Sequence, residues 1–137
     1  MQIETYLTFN GQCEEALNFY QQALGGRIAA LMRYEGTPMD GKELPADWKK
    51  KVMHARFEVE GAALMASDGM PGAPAPQYGG FSVSLYVPKD PERARKAFDA
   101  LAAGGQVRMP FGPPFWGGHF GMLVDRFGVP WMVNCEA

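Results

Sequence analysis

The chain has 137 residues, of which 47% are hydrophobic and 20% are charged, and its formal net charge is −2. This length suits one compact domain with a core of its own, and the composition is that of an ordinary globular protein. Its longest basic run, the three lysines at 49–51, is too short to follow a phosphate backbone, so we expect no nucleic-acid partner.

The sequence also argues against a membrane-spanning segment and against disulfide bonds. No apolar run approaches the roughly 20 residues of a membrane-spanning helix. The first residues lack the charged and apolar regions of a signal peptide, which predicts a cytoplasmic protein without a membrane partner. The two cysteines, Cys13 and Cys135, match no zinc or redox spacing, and we interpret both as small buried residues.

The first half of the chain predicts a strand, a helix and three more strands. Hydrophobic and polar residues alternate over 3–9, as in a half-buried strand, and an apolar stripe follows a helix over 13–24. Acidic residues occupy the first turn of that helix, and Gly25-Gly26 ends it. The remaining strands are predicted over 27–34, 52–60 and 62–67.

A long polar loop over 35–51 separates the second and third strands. Its tryptophan, Trp48, fits two roles: an anchor that holds the loop to the body of the protein, or a contact to a ligand. The sequence leaves both roles open.

The second half repeats the plan of the first. It follows a segment, 69–80, that is rich in glycine and proline and is interpreted as a linker. A strand over 81–87 leads into a helix over 91–103, which has Asp90 as its N-cap and Pro91 in its first turn. Further strands are predicted over 106–109, 119–124 and 130–135, with an irregular aromatic loop over 110–118.

The two glycine pairs that end the helices, Gly25-Gly26 and Gly104-Gly105, start 79 residues apart. A fixed offset of this kind indicates an internal repeat. We therefore predict a single α+β domain made of two βαβββ modules, at about 1–68 and 81–137, that form a curved mixed sheet with an internal cup.

Three segments carry a family resemblance: YLTFNGQCEEALNFYQQALGG near the start, HARFEVEGAALMASD in the middle and GGHFGMLVDRFGVPWMVN near the end. Together they make nearly the whole chain resemble the PhnB-like branch of the glyoxalase/bleomycin-resistance/dioxygenase superfamily, the vicinal oxygen chelate proteins. The resemblance implies a paired βαβββ fold, a homodimer and a binding site in the cup between the modules. Some members carry a demethylubiquinone methyltransferase label. No glycine-rich nucleotide loop follows a strand here, so we expect no bound cofactor.

Metal-dependent members of the superfamily use His and Glu ligands on the first, fourth, fifth and eighth strands. By resemblance, these positions fall on Glu4 or Thr5, Leu64 or Met65, Ser82 and Met132. At most one of them is a carboxylate, whereas zinc, iron, nickel and manganese take several His or carboxylate ligands. The sequence therefore predicts no bound metal, which argues against glyoxalase I or extradiol dioxygenase chemistry.

The candidate ligand-binding residues are Tyr6, His54, Ser67, Asp68, Trp116, His119 and Trp131. By alternation His54 shares the polar side of its strand with Val52, Arg56 and Glu58. There it fits a general base, a hydrogen-bond partner or a structural contact to the long loop or to the second subunit of a dimer. His119 follows the aromatic loop and fits either a ligand contact at the mouth of the cup or a surface strand. Asp68 fits either a substrate contact or a turn at Gly69. The aromatic residues fit either the wall of a pocket for planar molecules or ordinary core packing.

Three functions remain open, and no catalytic residue is assigned. The first, which we favour, is a protein that binds or sequesters a small, partly aromatic molecule. The second is a lyase or isomerase that acts on a small carbonyl compound with His54 or Glu4 as its base. The third is a metal-dependent enzyme of the glyoxalase or dioxygenase type.

Overall fold

The computed structural model describes residues 1–41 and 43–136. The chain divides into two compact units, Met1–Pro76 and Gln77–Ala137. Both contain helices and strands in the same order. These are β1 (Thr5–Thr8), α1 (Cys13–Leu24), β2 (Arg27–Arg33), β3 (Val52–Val59) and β4 (Ala62–Ser67), then β5 (Val83–Tyr86), α2 (Pro91–Ala102), β6 (Gln106–Gly112), β7 (His119–Val124) and β8 (Pro130–Cys135).

The first unit is a four-stranded mixed sheet with the order β1-β4-β3-β2. β1 and β4 run parallel, and the other pairs are antiparallel. The stripe of Ala16, Leu17 and Tyr20 on α1 is fully buried. At the end of α1, Gly25 has a φ of 76°, a conformation that favours glycine.

The second unit repeats this sheet with the order β5-β8-β7-β6, again with one parallel pair, β5 and β8. Its helix α2 starts as predicted: the Asp90 carboxylate accepts a hydrogen bond from the Arg93 amide, and Pro91 follows the cap. The predicted α+β fold of two βαβββ modules is confirmed.

β6 and β3 depart from the prediction, β6 in its length and β3 in its side-chain alternation, whereas the other strands begin and end within two residues of the predicted bounds. β6 runs to Gly112 rather than ending at Met109, because it is an edge strand, where a residue without an amide hydrogen such as Pro110 is tolerated. In β3 the alternation assigned Val52 to the same face as His54, yet Val52 is 1% exposed. A shift in the β2–β3 register beside Val52 breaks the alternation at this end of β3.

The loop between β2 and β3 is tied to the end of β4. The Trp48 indole nitrogen donates to the Gly69 carbonyl at 3.2 Å, and the Tyr34 hydroxyl donates to the same carbonyl. These bonds favour the interpretation of Trp48 as an anchor. None of the helices in the described ranges is long and apolar enough to cross a membrane.

Candidate functional site

One face of the first sheet is turned away from α1. The other face carries core residues such as Leu7 and Phe57, each 1% exposed. Because neighbouring strand residues point to opposite faces, Tyr6, Met65 and Arg56 share the face away from the core. The strand register places Tyr6 opposite Met65 and Met65 opposite Arg56, so the three form a row across β1, β4 and β3. We call this side the open face.

Tyr6 and His54 form a pair on the open face. The Tyr6 hydroxyl lies 3.0 Å from Nδ1 of His54, and the two rings stack with centroids 5.7 Å apart. Tyr6 remains 46% exposed. The pair therefore offers an aromatic surface and a polar edge to a molecule that lies on the sheet.

The hydrogen bond between them has two forms. If the Tyr6 hydroxyl donates to Nδ1, a neutral His54 carries its proton on Nε2 and presents a hydrogen-bond donor. If Nδ1–H donates to the Tyr6 oxygen, Nε2 keeps a lone pair and can accept a proton. The first form suits ligand binding, and the second is the form that a general base requires.

Beside this pair, Arg56 lies between two carboxylates. Its Nε donates to Glu58 and its Nη1 donates to Glu4, each at 2.9 Å. Arg27 donates to the other oxygen of Glu58 at 3.1 Å. The hydrogen bond from Arg56, with that from Arg27, holds the pKa of Glu58 below its ordinary value. The cluster therefore fixes the Arg56 guanidinium in one position on the open face.

A pocket of about 290 Å³ adjoins this cluster. The small side chain of Ala63, which is paired with Glu58, leaves room on the open face at this end of the sheet. The pocket has Glu4 and Arg56 as its charged lining residues and Ile3, Ala62 and Ala63 as its apolar ones. Ile3 and Ala62 are exposed, so the pocket is an open depression beside the charged cluster rather than an enclosed cavity.

Asp68 links the start of α1 to the start of β3 by hydrogen bonds. It is 2% exposed, and its Oδ1 accepts hydrogen bonds from the amides of Gly11 and Cys13 while Oδ2 accepts one from the amide of Val52, all at 2.8 Å. It thereby caps α1 from a distant part of the chain. Ser67, 7% exposed, accepts a hydrogen bond from the Gly69 amide.

The thiol of Cys13 lies beneath this cap. Burial, the neighbouring Asp68 carboxylate and Glu14 raise its pKa to about 12. Cys13 therefore stays a neutral thiol at physiological pH, in agreement with its interpretation as a buried core residue.

The three remaining candidates lie in the second unit and in different surroundings. Trp131 is 2% exposed, and its indole donates to Asp125 at 2.9 Å. Trp116 is 56% exposed and contacts the rings of Phe115 and Phe120. Of the predicted site residues, Tyr6 and His54 contact each other, whereas Trp131 belongs to the core of the second unit.

His119 lies on the helix-facing side of the second sheet, since the strand register pairs it with buried Cys135. Its ring stacks on Phe111, with centroids 5.8 Å apart. Its buried Nδ1 has no hydrogen-bond partner among the described residues. This placement separates His119 from the face that carries Trp116 and Phe120.

The comparisons with known proteins decide the family. The family model described as 3-demethylubiquinone-9 3-methyltransferase matches residues 1–134. The chain belongs to this family. Protein YjdN of Escherichia coli K12 is 32% identical over 98% of this chain and 95% of its own length.

Solved structures of similar proteins agree. The structure of protein PA1353 from Pseudomonas aeruginosa is 51% identical, with a TM-score of 0.86 over 99% of this chain and 98% of that one. A putative 3-demethylubiquinone-9 3-methyltransferase, PhnB protein, from Bacillus cereus is 29% identical, with a TM-score of 0.78 over 99% and 100%. A glyoxalase-related enzyme from Fulvimarina pelagi shares the fold at 17% identity, with a TM-score of 0.67 over 99% and 88%.

The metal positions of the glyoxalase fold do not carry a fitting set of donors in this member of the family. The sequence left Glu4 or Thr5, and Leu64 or Met65, as ligand positions in the first unit. Thr5 and Leu64 belong to the buried face, so Glu4 and Met65 are the residues at these positions on the open face. The Glu4 carboxylate is already paired with Arg56. The resemblance places the other two ligand positions on Ser82 and Met132, which carry a hydroxyl and a thioether. Within the described ranges, no three His, Cys, Asp or Glu side chains are grouped so that they could hold a metal ion.

Sequence reasoning named Tyr6 and His54 separately but missed their contact. It also missed the role of Arg56, which it noted only as a polar residue beside His54. The available signal was the polar alternation of His54, Arg56 and Glu58 along one strand. Their partners on β1 follow only from the parallel register of β1 and β4.

Proposed function

We propose that this protein binds a small, partly aromatic molecule on the open face, at Tyr6 and His54, without a metal ion. The observation that carries the proposal is the stacked and hydrogen-bonded pair of these two side chains, with Tyr6 half exposed. Exposed aromatic rings beside a few fixed polar groups suit planar ligands.

The surroundings of the pair support the same ligand class. Met65 lies next to Tyr6 in the row across the sheet, and a thioether adapts to ring-shaped ligands of different outline. Both helix N-termini, where anionic groups of cofactors often bind, already carry the carboxylates of Asp68 and Asp90. On the open face a ligand would therefore meet the Tyr6 ring and the Met65 thioether beside the charged cluster of Arg56, Glu4 and Glu58.

A thermal-unfolding screen of aromatic fragments tests the proposal. A ligand at 100 times its Kd raises the free energy of unfolding by about 2.7 kcal/mol. We expect fragments that stabilise the wild-type protein and fail to stabilise Tyr6→Ala. The control is Tyr86→Ala, which removes a tyrosine of similar exposure, 52%, from the second sheet. Equal stabilisation of Tyr6→Ala and wild type would refute binding at this pair.

An isomerase or lyase is the second candidate, and one observation favours it. In the tautomer whose Nδ1–H donates to Tyr6, Nε2 of His54 is free to take a proton from a carbon acid. His54 fits this role better than Glu4, because Glu4 is engaged by Arg56. A carbonyl compound that exchanges its α-proton for deuterium in the presence of wild type, but not of His54→Gln, would establish the enzyme.

We also propose that the protein is a homodimer. Phe115 is 98% exposed and Trp116 is 56% exposed, and an aromatic surface of this kind is typical of an interface between proteins. Light scattering coupled to gel filtration should give twice the mass of one chain. Trp116→Ser should lower that mass, and Met39→Ser, which changes an exposed side chain of the first unit, should not.

A further inference from the structure

We infer that Arg56 and Glu4 form a recognition edge for a neutral amide group on the ligand. The amide carbonyl accepts a hydrogen bond from Arg56, and the amide N–H donates one to Glu4. The inference rests on the proposed function, because the amide is carried by the aromatic ring that lies beside Tyr6 and His54. The ligand then belongs to the class of aromatic or cyclic amides.

Arg56 and Glu4 keep hydrogen-bonding capacity after they have bonded each other. Nε and Nη1 of Arg56 donate to Glu58 and Glu4, and Nη2 donates to no described residue. Oε2 of Glu4 accepts from Arg56, and Oε1 has no partner in the described ranges. Both side chains are partly exposed, 34% for Arg56 and 23% for Glu4. One donor and one acceptor therefore remain next to each other.

The charges of the cluster favour a neutral partner. Arg56 and Arg27 balance Glu4 and Glu58, so the cluster has no net charge. A carboxylate would meet Glu4 and Glu58 as like charges, and an ammonium group would meet Arg56 in the same way. An amide supplies a carbonyl oxygen for Nη2 of Arg56 and an N–H for Oε1 of Glu4 without bringing a charge.

The pocket beside the cluster has room for such a group. Its volume of about 290 Å³ lies at the end of the sheet where Ala63 leaves space beside Glu4 and Arg56. From Arg56 the row leads over Met65 to Tyr6, a Cα separation of about 10 Å at the usual spacing of strands. The ring of an aromatic amide placed at Arg56 would lie over Met65 and approach Tyr6.

Titration of three probes, benzamide, benzoate and benzylamine, tests the inference by protein-observed NMR. They share a ring and differ in whether the attached group is neutral, anionic or cationic. We expect benzamide to bind with a Kd in the millimolar range, as fragments of this size do. Benzoate and benzylamine should bind at least fivefold more weakly. Equal or tighter binding of either charged probe, or no binding of benzamide at all, would overturn the inference.

Two variants identify the edge. Arg56→Gln and Glu4→Ala should each weaken benzamide binding at least fivefold, whereas Arg108→Gln and Glu15→Ala, which change exposed residues elsewhere, should leave it unchanged. Alanine is used at Glu4 because glutamine would keep a carbonyl oxygen that accepts from the amide. Since Arg56→Gln leaves two carboxylates without their shared cation, its folding is checked by circular dichroism, and Glu4→Ala is decisive if Arg56→Gln unfolds. Wild-type affinity in a folded Glu4→Ala would refute the edge.

A third variant separates this inference from the proposed function. If Tyr6→Ala abolishes benzamide binding while the Arg56 and Glu4 variants bind normally, the amide edge is wrong and the aromatic site stands. If only the Arg56 and Glu4 variants lose binding, the ring does not use Tyr6, and the proposed function fails in its present form.

Discussion

The hydroxyl of Tyr6 and Nδ1 of His54 lie 3.0 Å apart although 48 residues separate them in the chain. The contact spans three strands, since β4 lies between β1, which carries Tyr6, and β3, which carries His54. It depends on the parallel pairing of β1 with β4, a feature that the second unit repeats with β5 and β8. The open face and its row of Tyr6, Met65 and Arg56 depend on the same register.

Tyr6→Phe separates the binding role of the pair from a proton-transfer role. The substitution keeps the ring and removes the hydroxyl. Because the bond is exposed, the free energy of unfolding should change by no more than about 0.5 kcal/mol. Fragments that bind wild type should keep their Kd within about threefold, as measured by calorimetry. Loss of binding comparable to that of Tyr6→Ala would mean that the hydroxyl, and not the ring, makes the essential contact.

Asp68→Ala should be among the most destabilising substitutions in the first unit. It leaves the buried amides of Gly11, Cys13 and Val52 without an acceptor, and we expect a loss of roughly 2–4 kcal/mol in urea unfolding. Asp68→Asn should cost less, because its carbonyl oxygen still accepts. Asp99→Ala, on the exposed side of α2, is the control and should change stability by less than about 0.5 kcal/mol. A small effect of Asp68→Ala would contradict the role of Asp68 as a remote cap.

Cys13 should resist alkylation in the folded protein. Burial and the Asp68 carboxylate raise its pKa from 9.0 to about 12, so at pH 8 the reactive thiolate is scarce. Iodoacetamide labelling followed by peptide mass spectrometry should find Cys13 unmodified in the native state and modified in urea. The raised pKa also means that Cys13 contributes stability below pH 9, and that this contribution is lost as the pH rises towards 12. Rapid native labelling at pH 8 would contradict the assignment.

Metal chelation should leave the protein unchanged. Glu4 is paired with Arg56, and the other family positions offer a thioether or a hydroxyl rather than imidazoles. The midpoint of thermal unfolding should therefore be the same with EDTA and with added zinc, nickel or manganese. A midpoint that EDTA lowers and one of these ions restores would contradict the proposal of a site without metal.

Local signals allowed the sequence to predict α1 and the order of helices and strands along the chain. The predicted bounds 13–24 of α1 equal the observed ones, because two glutamates mark the first turn of the helix and Gly25 marks its end. Pro110 misled the prediction of β6, since the sequence could not show that this strand is at a sheet edge. Alternation correctly placed His54 and Arg56 on one face, but it could not supply their partners, Tyr6 and Glu4, because those depend on the register between separate strands.

Methionine methyl NMR tests the central claim most directly. The chain has nine methionines, of which Met65 lies beside Tyr6 on the open face and Met39 lies in the loop after β2. With ¹³C-methyl methionine and a saturating fragment from the thermal screen, the ring current of the bound ligand should shift the Met65 methyl signal and leave that of Met39 in place. A saturated complex in which Met65 does not move would contradict binding on the open face.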